Sequence, residues 1–254
     1  MAAPQKLING LTDLGMEKMQ EYLDHYSELV NKGDKSFSEA LEELVEIEKK
    51  NKQIRRDAIN LHIANYPFIK TFDDFDFDFQ PNLNKKEILE LSKLGFVENK
   101  ENVIFVGTSG VGKTHLATAL GICCTKARFQ TYFITFENLI MQLKKAYQEN
   151  RLETRLKFFS KYKVLIIDEI GYMPIDIDTA NIFFQLIAKR YEKNSTIITT
   201  NMPFSKWGEF FGSATLANAV LDRLLHHSEV ISIKGPSYRI KDKRLVIEAQ
   251  SAEE

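Results

Sequence analysis

The sequence predicts an α/β protein: a parallel sheet flanked by helices, preceded by a small helical N-terminal domain. Three observations carry that expectation. The first 65 residues place apolar side chains at helical spacing. From residue 85 short apolar runs alternate with helical stretches, the pattern of βαβ units. The first of those runs enters a glycine-rich loop that opens a helix. The expected domains are 1–65, helical, and 66–254, nucleotide-binding.

The helical region begins with "LTDLGMEKMQEYLDHY", which "NKGDKS" interrupts. Ser36 with Glu39 three residues later predicts a capping box for a second helix. That helix runs from acidic to basic, which suits its dipole, and Pro67 lies just beyond it. Two readings stand for this pair: local packing, or a partner-binding module. Residues 68–80, "FIKTFDDFDFDFQ", alternate Phe with Asp, a period of two that predicts an edge strand or extended linker. One reading makes it a wall for adenine, the other a linker pinned to the core by Phe72, Phe75 and Phe77. The strands that follow are 103–106, 131–136, 164–168, 196–200 and 229–233.

The 254 residues are 44% hydrophobic and 27% charged, the globular average. A net charge of -1 gives no global basic field, so a nucleic-acid surface must be a local patch. Cys123 and Cys124 adjoin in a helical stretch, where neighbours cannot bridge, and no second pair exists to hold zinc. They read as packing residues in a reducing compartment. No signal peptide and no membrane-length apolar run is legible, so the expectation is a cytoplasmic protein without a membrane partner.

The loop itself is Gly107 to Thr114 in "IFVGTSGVGKTHLATALG", the pattern G-x-x-x-x-G-K-[ST]. Its glycines let backbone N–H groups turn toward phosphates. Lys113 brings a point charge to them, and Thr114 offers a hydroxyl to Mg²⁺. Gly107, Thr108, Ser109, Gly110, Val111, Gly112, Lys113, Thr114 and His115 form the candidate ATP-binding set. "KVLIIDEIGYM" ends a buried strand in Asp168-Glu169. Asp168 is the candidate Mg²⁺ carboxylate with Thr114, and Glu169 the candidate water activator. A metabolic kinase has no use for that second carboxylate. Asn201, ending the next strand, can hold the attacking water or sense the γ-phosphate.

Residues 141–163 hold seven Lys/Arg against two Glu. Lys144, Lys145, Arg151, Arg155 and Lys157 can track a phosphate backbone without reading bases. Lys234, Arg239, Lys241, Lys243 and Arg244 form a second basic run. His226-His227 reads as polar helix surface, since the histidines show no ligand spacing.

Taken together, "GVGKTHLATALG", "VLIIDEIGYMP", "TTNMPFSKWGEFFG" and "DRLLHHSEVISIKGPSYR" resemble the IstB/DnaC-like group of AAA+ ATPases, and within it the IstB-type transposition helpers. The resemblance covers roughly residues 65–245. It implies side-by-side subunits, a homo-oligomer with ATP at the interfaces, in which Arg223 serves a neighbour's site as a trans-acting finger. It makes Arg239 a candidate second sensor and leaves the C-terminal lid reduced or absent. It implies an ATP-dependent regulator of insertion-sequence transposition that assembles on double-stranded DNA and recruits or activates the transposase of the same element. The alternative it leaves open is a DnaC-like replicative helicase loader.

Overall fold

The computed structural model describes residues 4–241 and falls into two compact units, divided between Asn60 and Leu61. The first unit contains α1 (Gln5–Asp13), α2 (Glu17–Lys32) and the first part of α3 (Phe37–Ile63). The periodicity around Gly15 does not continue as one helix. Gly15 takes φ +62°, and Met16 N–H returns to Leu11 O at 2.8 Å, so the chain turns before α2. Ser36 and Glu39 form the expected reciprocal cap, with Ser36 N–H on Glu39 at 2.8 Å and Glu39 N–H on Ser36 at 3.3 Å.

The apolar core of this unit is small: Leu11, Met19 and Leu44. The N-cap position of α2 is Met16, whose side chain makes no capping hydrogen bond. The buried Glu48 of α3 supplies that function, accepting from Lys18 N–H at 2.9 Å and Met19 N–H at 3.0 Å. Replacing Glu48 by Ala is expected to cost about 1–2 kcal/mol, the usual effect of losing a helix cap. Denaturation followed by helical circular dichroism checks this; an unchanged midpoint would remove Glu48 from the fold's support.

The second unit is built on a parallel sheet of β1 (Asn102–Gly107), β2 (Thr131–Thr135), β3 (Val164–Ile170), β4 (Ser195–Thr200) and β5 (Ser228–Ile233). The spatial order is β2-β3-β4-β1-β5, and every pairing is parallel. Successive side chains of a strand face opposite ways, so a sheet covered on both sides reads as a continuous apolar run. In β3, Val164 and Ile166 join the core under α4 (Lys85–Leu91), α5 (Gly95–Glu98) and α6 (Lys113–Lys126). Leu165 and Ile167 join the other core, formed with α7 (Phe136–Gln148), α8 (Leu152–Ser160), α9 (Ile177–Arg190), α10 (Trp207–Phe210) and α11 (Ala214–Leu225). Cys124 is buried and Cys123 half-buried in α6, and both are free thiols.

The chain leaves β1 through α6 and re-enters the sheet at β2, beyond β3 and β4. Such a reversal opens a crevice at the C-terminal strand ends, where the loop after β1 and the ends of β3 and β4 converge.

Residues 68–80 are neither strand nor extended linker. Asp74 accepts from Thr71 N–H at 2.7 Å and Asp76 from Phe79 N–H at 3.0 Å. Each aspartate draws the backbone into a turn, which outweighs the period-two pattern. Phe72 is buried while Phe75 and Phe77 pack against the same core, as the pinned reading expects. Past β5 the described residues contain a 3-10 turn, Tyr238–Ile240; Lys243 and Arg244 lie outside the described residues. Among the described residues no helix is long and apolar enough to cross a membrane.

Candidate functional site

β1 ends at Gly107 and α6 begins at Lys113, so five residues make the bend between them. Gly110 and Gly112 hold φ of +82° and +101°. A Cβ at Gly110 would lie 2.0 Å from Ser237 Oγ, and one at Gly112 2.5 Å from the Phe75 ring. Both positions therefore require glycine for conformation and for space. The N-terminal N–H groups of α6 face the bend, the usual anion site of a helix start. Lys113 is buried, and its ammonium donates to Gly107 O and Thr108 O, each at 2.8 Å. Burial pulls its pKa below the ordinary lysine value. The charge is thus held within the loop, where a phosphate would offset the burial.

Thr114 Oγ1 lies 3.0 and 3.1 Å from the two oxygens of Asp168. Burial pushes the Asp168 carboxyl above its usual range, against hydrogen bonds from Thr199 and Thr114 that lower it. A hydroxyl and a carboxylate side by side are hard oxygen donors, which fits Mg²⁺.

On a regular strand Glu169 would point away from Asp168. Here the β3–β4 register shifts between Ile167 and Ile170, and Glu169 takes φ +65°. The irregularity turns its side chain into the cleft. A left-handed non-glycine residue costs roughly 1–2 kcal/mol, and Thr199 helps hold it in place. Its hydroxyl accepts from Glu169 N–H at 2.9 Å and donates to Asp168 at 2.6 Å. Thr199 escapes sequence reasoning; its only signal is that it lies two residues before Asn201 on the neighbouring strand.

Glu169 and Asn201 line a 280 Å³ cavity together with Ser109 through His115 and Arg239. Gly107 and Thr108 are not in its lining; they hold Lys113 through their carbonyls. Phe68, Phe75 and Gln80 form its other wall. Their rings meet His115 edge-on, at 6.2 Å for Phe68 and 5.3 Å for Phe75. His115 hydrogen-bonds Thr71 O at 2.8 Å, and burial lowers its pKa. Gln80 is buried, donates to Pro236 O at 2.9 Å, and leaves its side-chain oxygen without a partner among the described residues. An aromatic wall beside the phosphate loop fits a planar base. The same segment clasps the chain after β5. Asp76 pairs with Lys241 at 2.6 Å, and Asn82 donates to Lys234 O at 3.2 Å. Tyr238 N–H then bonds Gly110 O at 2.9 Å, which brings Arg239 to the cavity.

The profile of the family described as IstB-like ATP binding protein matches residues 9–246. The chain belongs to that family. Among individual relatives of this IstB-like protein, the insertion sequence IS232 ATP-binding protein of Bacillus thuringiensis subsp. berliner is 49% identical, over 94% of this chain and 95% of that one. The insertion sequence IS21 ATP-binding protein of Pseudomonas aeruginosa is 45% identical, over 92% and 88% respectively. Among solved structures, the DnaC helicase loader superposes with a TM-score of 0.54 at 25% identity, covering 67% of this chain and 97% of that one. Family, loop and sheet order together make this an AAA+ P-loop ATPase.

Two predicted groups of the IstB-like chain lie away from its own cavity. Arg223, on α11, is half-buried, donates to Ala219 O at 3.0 Å and lies 4.6 Å over the Phe184 ring. It makes no ion pair with Asp222 or Glu229 among the described residues. The basic helices α7 and α8 enclose a 400 Å³ groove lined by Lys145, Arg151 and Arg155. Lys144 and Lys157 are not in its lining, and several of the predicted cations already meet partners: Lys144 pairs with Asp176 at 2.9 Å, Lys157 with Glu153 at 3.7 Å, and Arg151 with Glu149. Arg155 bonds Gln142 and stacks over Phe158 at 4.5 Å. Exposed pairs of this kind contribute only about 0–1 kcal/mol, so phosphates can replace them.

Proposed function

We propose that this IstB-like ATPase acts in insertion-sequence transposition in the cytoplasm. ATP joins subunits side by side on duplex DNA, the assembly recruits or activates the transposase of the same element, and hydrolysis dismantles it. The observation that carries the DNA half is the basic groove between α7 and α8. The insertion-sequence half is supported by relatives that cover nearly the whole chain.

In this reading the loop backbone and Lys113 bind the phosphates, and Thr114 and Asp168 hold Mg²⁺. The metal, when bound, supplies charge neutralisation at the phosphates. Glu169 takes a proton from the attacking water, which Asn201 orients. Arg223 of one subunit reaches the site of the next, and Arg239 contacts nucleotide from within the chain. A second reading, helicase loading, is supported by the likeness to the DnaC helicase loader.

Sedimentation on duplex and single strands of equal length, with and without ATP, separates the two readings. ATP-dependent duplex-bound particles are expected; small particles on single strands would favour the loader. Lys145→Glu with Arg151→Glu is expected to weaken DNA binding at least tenfold at physiological salt while nucleotide binding persists. Unchanged pelleting would remove the α7–α8 groove from the DNA surface.

A further inference from the structure

The turn after α9 and the end of α11 bring Glu192, His226 and His227 together on the surface. In the sequence the histidine pair stands 34 residues beyond Glu192, with no local motif to join them. In the fold one ligand atom from each of the three lies within 4.8 Å of the others. Glu192 Oε1 is 3.7 Å from His227 Nε2, and the two imidazole rings are 4.0 Å apart between centroids.

A second observation concerns the orientation of one ring. The Tyr191 hydroxyl hydrogen-bonds His226 Nδ1 at 2.6 Å and stacks its ring at 28° to the imidazole. A partner on one ring nitrogen fixes the orientation of the ring, the kind of support that metal-ligating histidines carry.

We propose that Glu192, His226 and His227 bind a single Zn²⁺-class transition-metal ion, with Tyr191 orienting His226 and water completing the shell. Two imidazoles and one carboxylate form a three-ligand set that suits Zn²⁺ with an open fourth position. Tetrahedral coordination at bond lengths of about 2.0–2.1 Å needs ligand atoms about 3.3 Å apart. All three side chains are exposed, so rotamer changes can close the remaining gap without disturbing the core. The ion would tie the α9–β4 turn to the helix that carries Arg223, three residues before His226. This site shares no residue with the nucleotide cleft.

The test is a Zn²⁺ titration of the tag-free full chain by calorimetry, in saturating Mg²⁺ so that the Thr114–Asp168 site is occupied. One Zn²⁺ per chain is expected, with a rise in melting temperature on loading. Combining His226→Ala with His227→Ala should abolish binding, Glu192→Gln should weaken it at least tenfold, and Tyr191→Phe should weaken it less. Co²⁺ in place of Zn²⁺ should give visible absorption that the double histidine variant lacks. No binding by the natural sequence, or an equal isotherm in the double variant, overturns the proposal. All four residues are on the surface, and circular dichroism of each variant verifies that it is folded.

Discussion

Glu169→Gln is expected to bind ATP normally and to hydrolyse it about 10²–10⁴-fold more slowly, the usual contribution of a positioned general base. The reason is local. Glutamine keeps the shape and the backbone N–H bond to Thr199, so the cleft and the Asp168 pocket persist. Only the proton acceptor is lost. Phosphate release and binding of a fluorescent ATP analogue, measured on the same preparation, separate the two steps. Turnover within threefold of the natural chain would exclude Glu169 from water activation. Glu169→Gly sharpens the test, because glycine accepts φ +65° without strain. That variant should be equally slow yet melt no lower, which separates chemistry from backbone strain. If hydrolysis drives disassembly, Glu169→Gln should also leave particles trapped on DNA.

Arg223→Ala is expected to lose about 10³–10⁵-fold in hydrolysis, the range associated with arginine fingers, while isolated subunits still bind ATP. The decisive experiment mixes this variant with Glu169→Gln. A subunit lacking Arg223 still has its own Glu169, and a Glu169→Gln neighbour still offers its arginine. Mixed assemblies should therefore recover activity that neither variant has alone. A mixture as inactive as its parts would place Arg223 outside trans catalysis. Because Arg223 also packs on Phe184, its removal costs some stability, about 0.5–1 kcal/mol for such a stacked cation. Melting curves run in parallel identify that part, and it cannot mimic recovery on mixing.

Some of this chain was legible because its signals are local. Five strand segments stand out because a sheet covered on both faces demands near-continuous apolar runs. The loop is legible because phosphate geometry demands glycine, lysine and hydroxyl at set spacing, and the Ser36–Glu39 cap because both partners lie within one turn. Local pattern misled at Gly15, where helical spacing continues but the chain turns, and at residues 68–80. Alternating Phe and Asp read as a strand, yet the aspartates bond nearby backbone N–H groups and form turns.

By itself, then, the sequence determined the sheet's strands, the nucleotide loop and the identity of the two carboxylates. Tertiary structure alone decided how those groups face each other. The register shift that turns Glu169 toward the cleft depends on Thr199 of the adjacent strand. The clasp that brings Arg239 to the loop joins residues 156 apart, Gln80 and Pro236. Glu48 capping α2 and Glu192 meeting the histidine pair are of the same kind. Each is a contact between residues that no periodicity relates, and only the folded chain brings such residues together.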